Sequence, residues 1–142
     1  MIYANYDYYA NEYFGKGVQE EDFRRLALRA SQYIDYITQG RAEARSELEA
    51  VKMCCCALAE QYQTIETAQA LARSSLSAGM NGTSGELQSQ TVGGWSKSYR
   101  SGGDSAQAAS QAAESGQSSL LATARHYLAN TGLLYRGMRC CL

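Results

Sequence analysis

Residues 20–40 have the sequence EEDFRRLALRASQYIDYITQG, and this stretch decides the fold class. Acidic residues open it, which suits the positively polarised first turn of a helix. Apolar side chains then recur at intervals of three and four residues, as on the buried face of an amphipathic helix. Gly40 follows the last of them and is typical of a helix end. We therefore predict a helix whose core-facing stripe is Phe23, Leu26, Ala27, Ala30, Ile34 and Ile37.

Two further helical patterns flank a polar region. A long helix is predicted from about Glu43 to about Arg73, which makes 20–73 the helical core. Another is predicted over 105–130, and the absence of proline from the chain allows both to run without a break. The apolar stripe of the long helix is Leu48, Val51, Cys55, Leu58 and Tyr62, then Ile65 or Ala68, then Ala72. That of the last helix is Leu120, Leu121, Ala124, Tyr127 and Leu128. These patterns predict an all-α fold, a small helical bundle with one long helix, in a single domain of residues 1–142.

Residues 74–104 are rich in Gly and Ser and predict a long loop. Within it, a Gly-Gly pair follows Val92, and Trp95, Lys97 and Tyr99 then alternate with serine. Alternation after a turn signal predicts a short β-hairpin. Because a loop of this length is usually functional or disordered, the hairpin either faces a partner or is part of a floppy surface loop.

The two ends of the chain are aromatic or apolar. Residues 1–15 carry Tyr3, Tyr6, Tyr9 and Tyr13 at helical spacing, which predicts a short helix with an aromatic face. That face either packs on the body of the protein or is offered to a partner. Residues 131–142 form a predicted C-terminal tail, in which Leu133, Leu134 and Tyr135 either fold back on the bundle or dock into a partner, since exposed apolar termini are unfavourable.

Composition and motifs narrow the function classes. The chain has 142 residues and a formal net charge of −1, which disfavours a protein that grips nucleic acid by charge. No apolar run is long enough for a membrane span, and residues 1–7 do not resemble a signal peptide, so the cytoplasm is the expected compartment. Phosphate-loop, nucleophile-elbow, dinucleotide and zinc-protease motifs are all missing, so we expect neither catalysis nor a cofactor.

The cysteines do not predict a metal site. They fall into two runs, 54–56 and 140–141, and neither has the spacing of zinc ligands. Consecutive residues on a helix point about 100° apart, so three in a row do not converge on one ion. His126 is the sole histidine. We expect Cys55 to pack as a small apolar side chain.

Several stretches, taken in order, resemble one family. The resemblance begins with the tyrosines of 6–9 and Tyr13 and continues through most of the chain. The remaining stretches are 21–27 (EDFRRLA), 30–41 (ASQYIDYITQGR), 51–60, 92–99 (VGGWSKSY) and 127–137 (YLANTGLLYRG). Together they resemble the head-tail connector proteins, also called adaptor or head-completion proteins, of long-tailed double-stranded DNA phages.

The resemblance implies a structural virion protein at the neck of the particle. Such a protein forms a ring of about twelve copies under the portal protein, extends the DNA channel, and docks a stopper or tail-completion protein. DNA would pass through without sequence-specific binding. The resemblance assigns portal binding to Leu133, Leu134, Tyr135, Arg136 and Met138, and subunit or neck-protein contacts to the hairpin residues Val92, Trp95, Lys97 and Tyr99.

An alternative is a DNA-recognition subunit of the phage packaging motor, which is also small, helical and ring-forming. Such a subunit is expected to carry a helix-turn-helix and a basic face. The helix-borne basic cluster in this sequence is Arg24, Arg25 and Arg29, and acidic residues precede it. The connector is therefore the favoured hypothesis.

Overall fold

A computed structural model of the chain describes residues 1–80, 89–92, 95–98 and 102–137, with side chains for 1–75, 111 and 114–137. The fold is mostly helical, as predicted. The helices are α1 (Tyr6–Asn11), α2 (Glu20–Thr38), α3 (Glu49–Met80) and α4 (Gly102–Leu128). Strands β1 (Ser89–Val92) and β2 (Trp95–Ser98) pair antiparallel, with Val92 opposite Trp95.

The internal contacts divide the chain into two compact units. One comprises Met1–Gln63 with Ser118–Leu142, and the other comprises Thr64–Gln117. The first unit holds α1, α2, the N-terminal part of α3 and the C-terminal part of α4. The predicted single connector domain stays a prediction.

Helix α2 has the predicted core stripe, and all of its predicted members are buried. Ser31 and Thr38 are buried on the same helix, where their hydroxyls donate to the carbonyls of Ala27 and Ile34, each at 2.7 Å. Such bonds satisfy polar groups that burial would otherwise penalise. The helix ends at Thr38, and the φ of 55° at the following Gln39 lies in the left-handed region.

Helix α3 begins at Glu49, later than the predicted start near Glu43. Residues 43–45 form a 3₁₀ turn instead, and Ala42 before it is buried. A regular helix here would have set Arg41 beside Arg45 and Glu43 beside Glu47, two repulsive pairs. At its other end, α3 continues past the predicted limit at Arg73 to Met80.

The core of the first unit surrounds the N-terminal part of α3. Every residue from Cys54 to Ala59 is buried. Six consecutive buried residues leave no face of the helix exposed, so other parts of the unit must pack against it on every side. The stripe prediction was right for Val51, Cys55 and Leu58 but wrong for Leu48, which is exposed.

Helix α4 passes through Gly116 without interruption and ends at Leu128, followed by a 3₁₀ turn, Ala129–Thr131. Gly132 closes this turn with a φ of 73°, a conformation that glycine adopts at little cost. Of the predicted stripe, Leu120, Ala124 and Leu128 are buried, and Leu121 and Tyr127 are half-buried.

Candidate functional site

The N-terminal tyrosines lie against the first unit. Tyr3 and Tyr9 are buried, and Tyr6 and Tyr13 are half-buried. The Tyr3 backbone N–H donates to the Ser31 hydroxyl at 3.1 Å, and its phenol donates to the Asp35 carboxylate. The buried members of this predicted aromatic face therefore pack on their own chain.

Tyr9 is the centre of a hydrogen-bond network. Its hydroxyl donates to Oε1 of Glu60 at 2.7 Å and accepts from the backbone N–H groups of Gly17 and Val18 at 3.0 and 3.1 Å. Tyr13 donates to the other carboxylate oxygen of Glu60 at 3.3 Å. One phenol thus ties α1, the following loop and α3 together.

This network predicts a loss of stability in alkali. Burial, and then the hydrogen bond to the Glu60 carboxylate, raise the pKa of Tyr9 from 10.0 to about 12, although the Val18 and Gly17 amides oppose the shift. Burial likewise raises the pKa of Tyr3 and Tyr13. A folded state that holds these protons more tightly keeps their full contribution below pH 10 and loses it as the pH rises through the folded pKa values.

We therefore expect the free energy of unfolding, measured by urea denaturation, to fall between about pH 10 and 12. Tyr9→Phe is the control, because it lacks the Tyr9 hydroxyl. Its stability should fall less steeply with pH than that of the wild-type chain. Equal slopes for the two proteins would contradict the assignment to Tyr9.

The C-terminal segment, residues 131–137, combines a buried anchor with exposed side chains. Leu133 is only 3% exposed and Leu134 is half-buried, whereas Tyr135 is 66% exposed and Arg136 is also exposed. Met138 lies outside the described residues. Leu133 therefore packs back onto its own chain, and its predicted contact with a partner stays a prediction.

Two arginines on the α2–α3 connection hold the backbone of this segment. Arg41 donates to the backbone carbonyl of Tyr135, and Arg45 donates to that of Thr131 at 3.1 Å. The Thr131 hydroxyl accepts from the Leu133 N–H at 3.2 Å. The Tyr135 side chain takes no part in these bonds, which hold only its main chain.

The structure describes the backbone of three of the four predicted hairpin positions. Val92 and Trp95 are cross-strand partners, and Lys97 is paired with Gln90. Their side chains, and all of Tyr99, lie outside the described part of the chain. Their predicted contacts remain predictions.

Two of the three arginines in the basic cluster of α2 have partners within the first unit. Arg25 forms an ion pair with Asp22 at 3.3 Å, and the Arg29 guanidinium lies 4.8 Å from the centre of the Tyr62 ring. Arg24 is exposed. These contacts give two of the three arginines local partners that a bound phosphate would have to displace.

Sequence reasoning missed Glu60, Arg41 and Arg45. Their signal is weak, because a charged residue on a predicted helix or turn is usually solvated. Within the described residues, no group of three His, Cys, Asp or Glu side chains is arranged to hold a metal ion. None of the described helices has the length and apolar character needed to cross a bilayer.

Comparison of the chain with protein-family models, with curated proteins and with solved structures gives no significant match.

Proposed function

We propose that the chain is a head-tail connector protein of a long-tailed DNA phage. It forms a ring under the portal protein and docks a stopper or tail-completion protein below. DNA passes through the ring without sequence-specific binding. It belongs to the neck of the virion. The proposal rests on the ordered resemblance of the sequence and on one structural observation, the C-terminal segment.

The C-terminal segment supports a docking role because some of its residues hold it on the protein while others expose their side chains. Leu133 anchors the segment in the core, and Arg41 and Arg45 hold its main chain. Tyr135 and Arg136 remain exposed. Tyr and Arg are the side chains most often found at the energetic centres of protein interfaces.

Charge also supports a channel protein over the packaging-motor alternative. A formal net charge of −1 suits a ring through which DNA must slide, because many phosphate contacts would retain it. The ion pair of Arg25 and the ring contact of Arg29 weaken the case for a phosphate-binding face on α2. In this proposal the hairpin around Trp95 contacts neighbouring copies or the neck protein below.

The test is to mix the full chain with the portal protein of the same phage and measure the mass by native mass spectrometry. We expect about one copy per portal subunit. The double variant Tyr135→Ala, Arg136→Ala should bind at least about a hundredfold more weakly, because it removes two interface anchors. It keeps Leu133 and the Tyr135 carbonyl that Arg41 binds.

Tyr36→Ala is the matched control, because Tyr36 on α2 is 76% exposed and lies outside the C-terminal segment. It should bind the portal as the wild-type chain does. Absence of any complex with both proteins folded would refute the connector function. Undiminished binding by the double variant would refute the role of Tyr135 and Arg136 alone.

A further inference from the structure

Phe14 is an exposed aromatic side chain on a left-handed backbone. It is 76% exposed and its φ is 59°. A bulky residue with this φ is a genuine outlier, since the conformation favours Gly or Asn. Phe14 gains little from its own chain in return, because most of its surface faces solvent. Both features disfavour Phe at this position unless another molecule uses it.

The loop that carries Phe14 is firmly held. The Gly15 N–H donates to the Tyr9 carbonyl at 2.9 Å, and the N–H groups of Gly17 and Val18 donate to the Tyr9 hydroxyl. A Cβ at Gly15 would overlap the Tyr9 ring. The loop therefore presents Phe14 in a set position, which reduces the entropy lost when it binds.

A cavity in the same unit offers a place for such a side chain. It has a volume of about 400 Å³ and lies between the N-terminal segment and the start of α2. Cavities of roughly 300–1,000 Å³ accommodate small organic groups. Its apolar part is formed by Ile2, Ala4, Tyr6 and Phe23, and its charged part by Glu20 and Arg24.

The charges around Phe14 match those of the cavity. Glu12 and Lys16 flank Phe14 at equal sequence distance, and both are exposed. Glu20 and Arg24 are also exposed, one helical turn apart. The loop of a second molecule thus brings one acidic and one basic side chain to a cavity that also carries one of each. Opposite charges across an interface favour correct partners and register.

We propose that Phe14 of one copy inserts into this cavity of a second copy of the chain, with Lys16 facing Glu20 and Glu12 facing Arg24. The loop and the cavity are different surfaces of the molecule, so the contact is heterologous. Repeated contacts of this kind close into a ring or continue as a filament. Closure of these contacts into a ring rests on the proposed function. The contact between Phe14 and the cavity does not require the portal protein.

The experiment uses the full chain alone, with its mass measured by sedimentation equilibrium up to about 1 mM, a range that detects weak association. We expect the mass to rise with concentration. Phe14→Asn should weaken association at least about tenfold while remaining folded, because Asn tolerates the left-handed backbone. Ile2→Arg, which fills the cavity from a site already 37% exposed, should do the same. Tyr36→Ala should associate normally.

A mixture of the two defective variants is the sharper test. The Phe14→Asn chain retains its cavity and the Ile2→Arg chain retains its loop, so together they should form a dimer that does not grow further. Lys16→Glu should also weaken association, and Glu20→Lys in the partner chain should restore it. A wild-type mass independent of concentration, or an Ile2→Arg and Phe14→Asn mixture that stays monomeric, would overturn the proposal.

Portal binding is measured separately, so the two proposals fail separately. If the connector function is wrong, self-association persists while the portal is not bound. If the Phe14 contact is wrong, the chain binds the portal but Phe14→Asn assembles on it as the wild-type chain does.

Discussion

Replacing Tyr9 with phenylalanine is expected to lower the free energy of unfolding by about 2–3 kcal/mol, because the variant removes three hydrogen bonds, one of them from the buried Val18 N–H. The Tyr9 side chain is fully buried. Its hydroxyl bonds to Glu60, Gly17 and Val18, and the substitution removes all of these bonds while keeping the ring. Chemical denaturation in urea measures the loss as a lower midpoint at unchanged slope.

Tyr9→Ala should be more severe, with a loss of about 3–5 kcal/mol, since removal of a buried aromatic ring also leaves a cavity. The ring centres of Phe23 and Tyr13 lie 4.8 and 5.7 Å from that of Tyr9. Both neighbours would lose packing contacts. Comparison of Tyr9→Ala with Tyr9→Phe thus separates the contribution of the ring from that of the hydroxyl.

Tyr36→Phe is the matched control for Tyr9→Phe. It removes the same hydroxyl from an exposed site and should change the free energy of unfolding by less than about 0.5 kcal/mol. If Tyr9→Phe were as mild as Tyr36→Phe, the Tyr9 hydroxyl would not connect the loop to α3 as described.

The helical fold was predictable because its strongest signal is local. Helix α2 buries one face only, so the helical spacing of its apolar residues identifies the core positions. All the predicted core residues are buried. The ends of α3 were less predictable. The 3₁₀ turn that replaces its predicted start follows the buried Ala42, and Arg45 of that turn donates to Thr131, a residue far along the chain.

The run CCCALA at 54–59 shows a second limit of periodic reasoning. A stripe pattern places Cys55 inside and its neighbours elsewhere, whereas the structure buries the entire run. The signal was present in another form, since six small or apolar residues in succession are typical of a helix covered on all sides.

The candidate site was predictable only as a set of segments. The aromatic N-terminus and the apolar tail are evident in the sequence, but the contacts that position them are not. Tyr9 meets Glu60 across 51 positions, and Arg41 meets Tyr135 across 94. A polar pair of this kind leaves no periodic trace, so sequence alone does not choose between a packed and an exposed aromatic.

The cysteines at 54–56 are expected to resist alkylation in the native protein. Burial, and then the neighbouring Cys55, raise the pKa of Cys54 from 9.0 to about 12, and burial likewise raises the pKa of Cys56 to about 12. Burial also raises the pKa of Cys55. The thiolate is the reactive form, so a rise of this size lowers its fraction at neutral pH by about a thousandfold.

Burial adds a second barrier, because an alkylating reagent cannot reach a covered sulfur until the helix opens. Native labelling with iodoacetamide, followed by mass spectrometry of the peptide 53–73, should therefore show no modification while the protein in urea is modified fully. A Ser75→Cys variant is the control, since Ser75 is exposed on the same helix and its thiol should react at once. Rapid native labelling of 54–56 would mean that α3 is not enclosed, and the predicted losses for Tyr9, which depend on Glu60 of the same helix, would shrink with it.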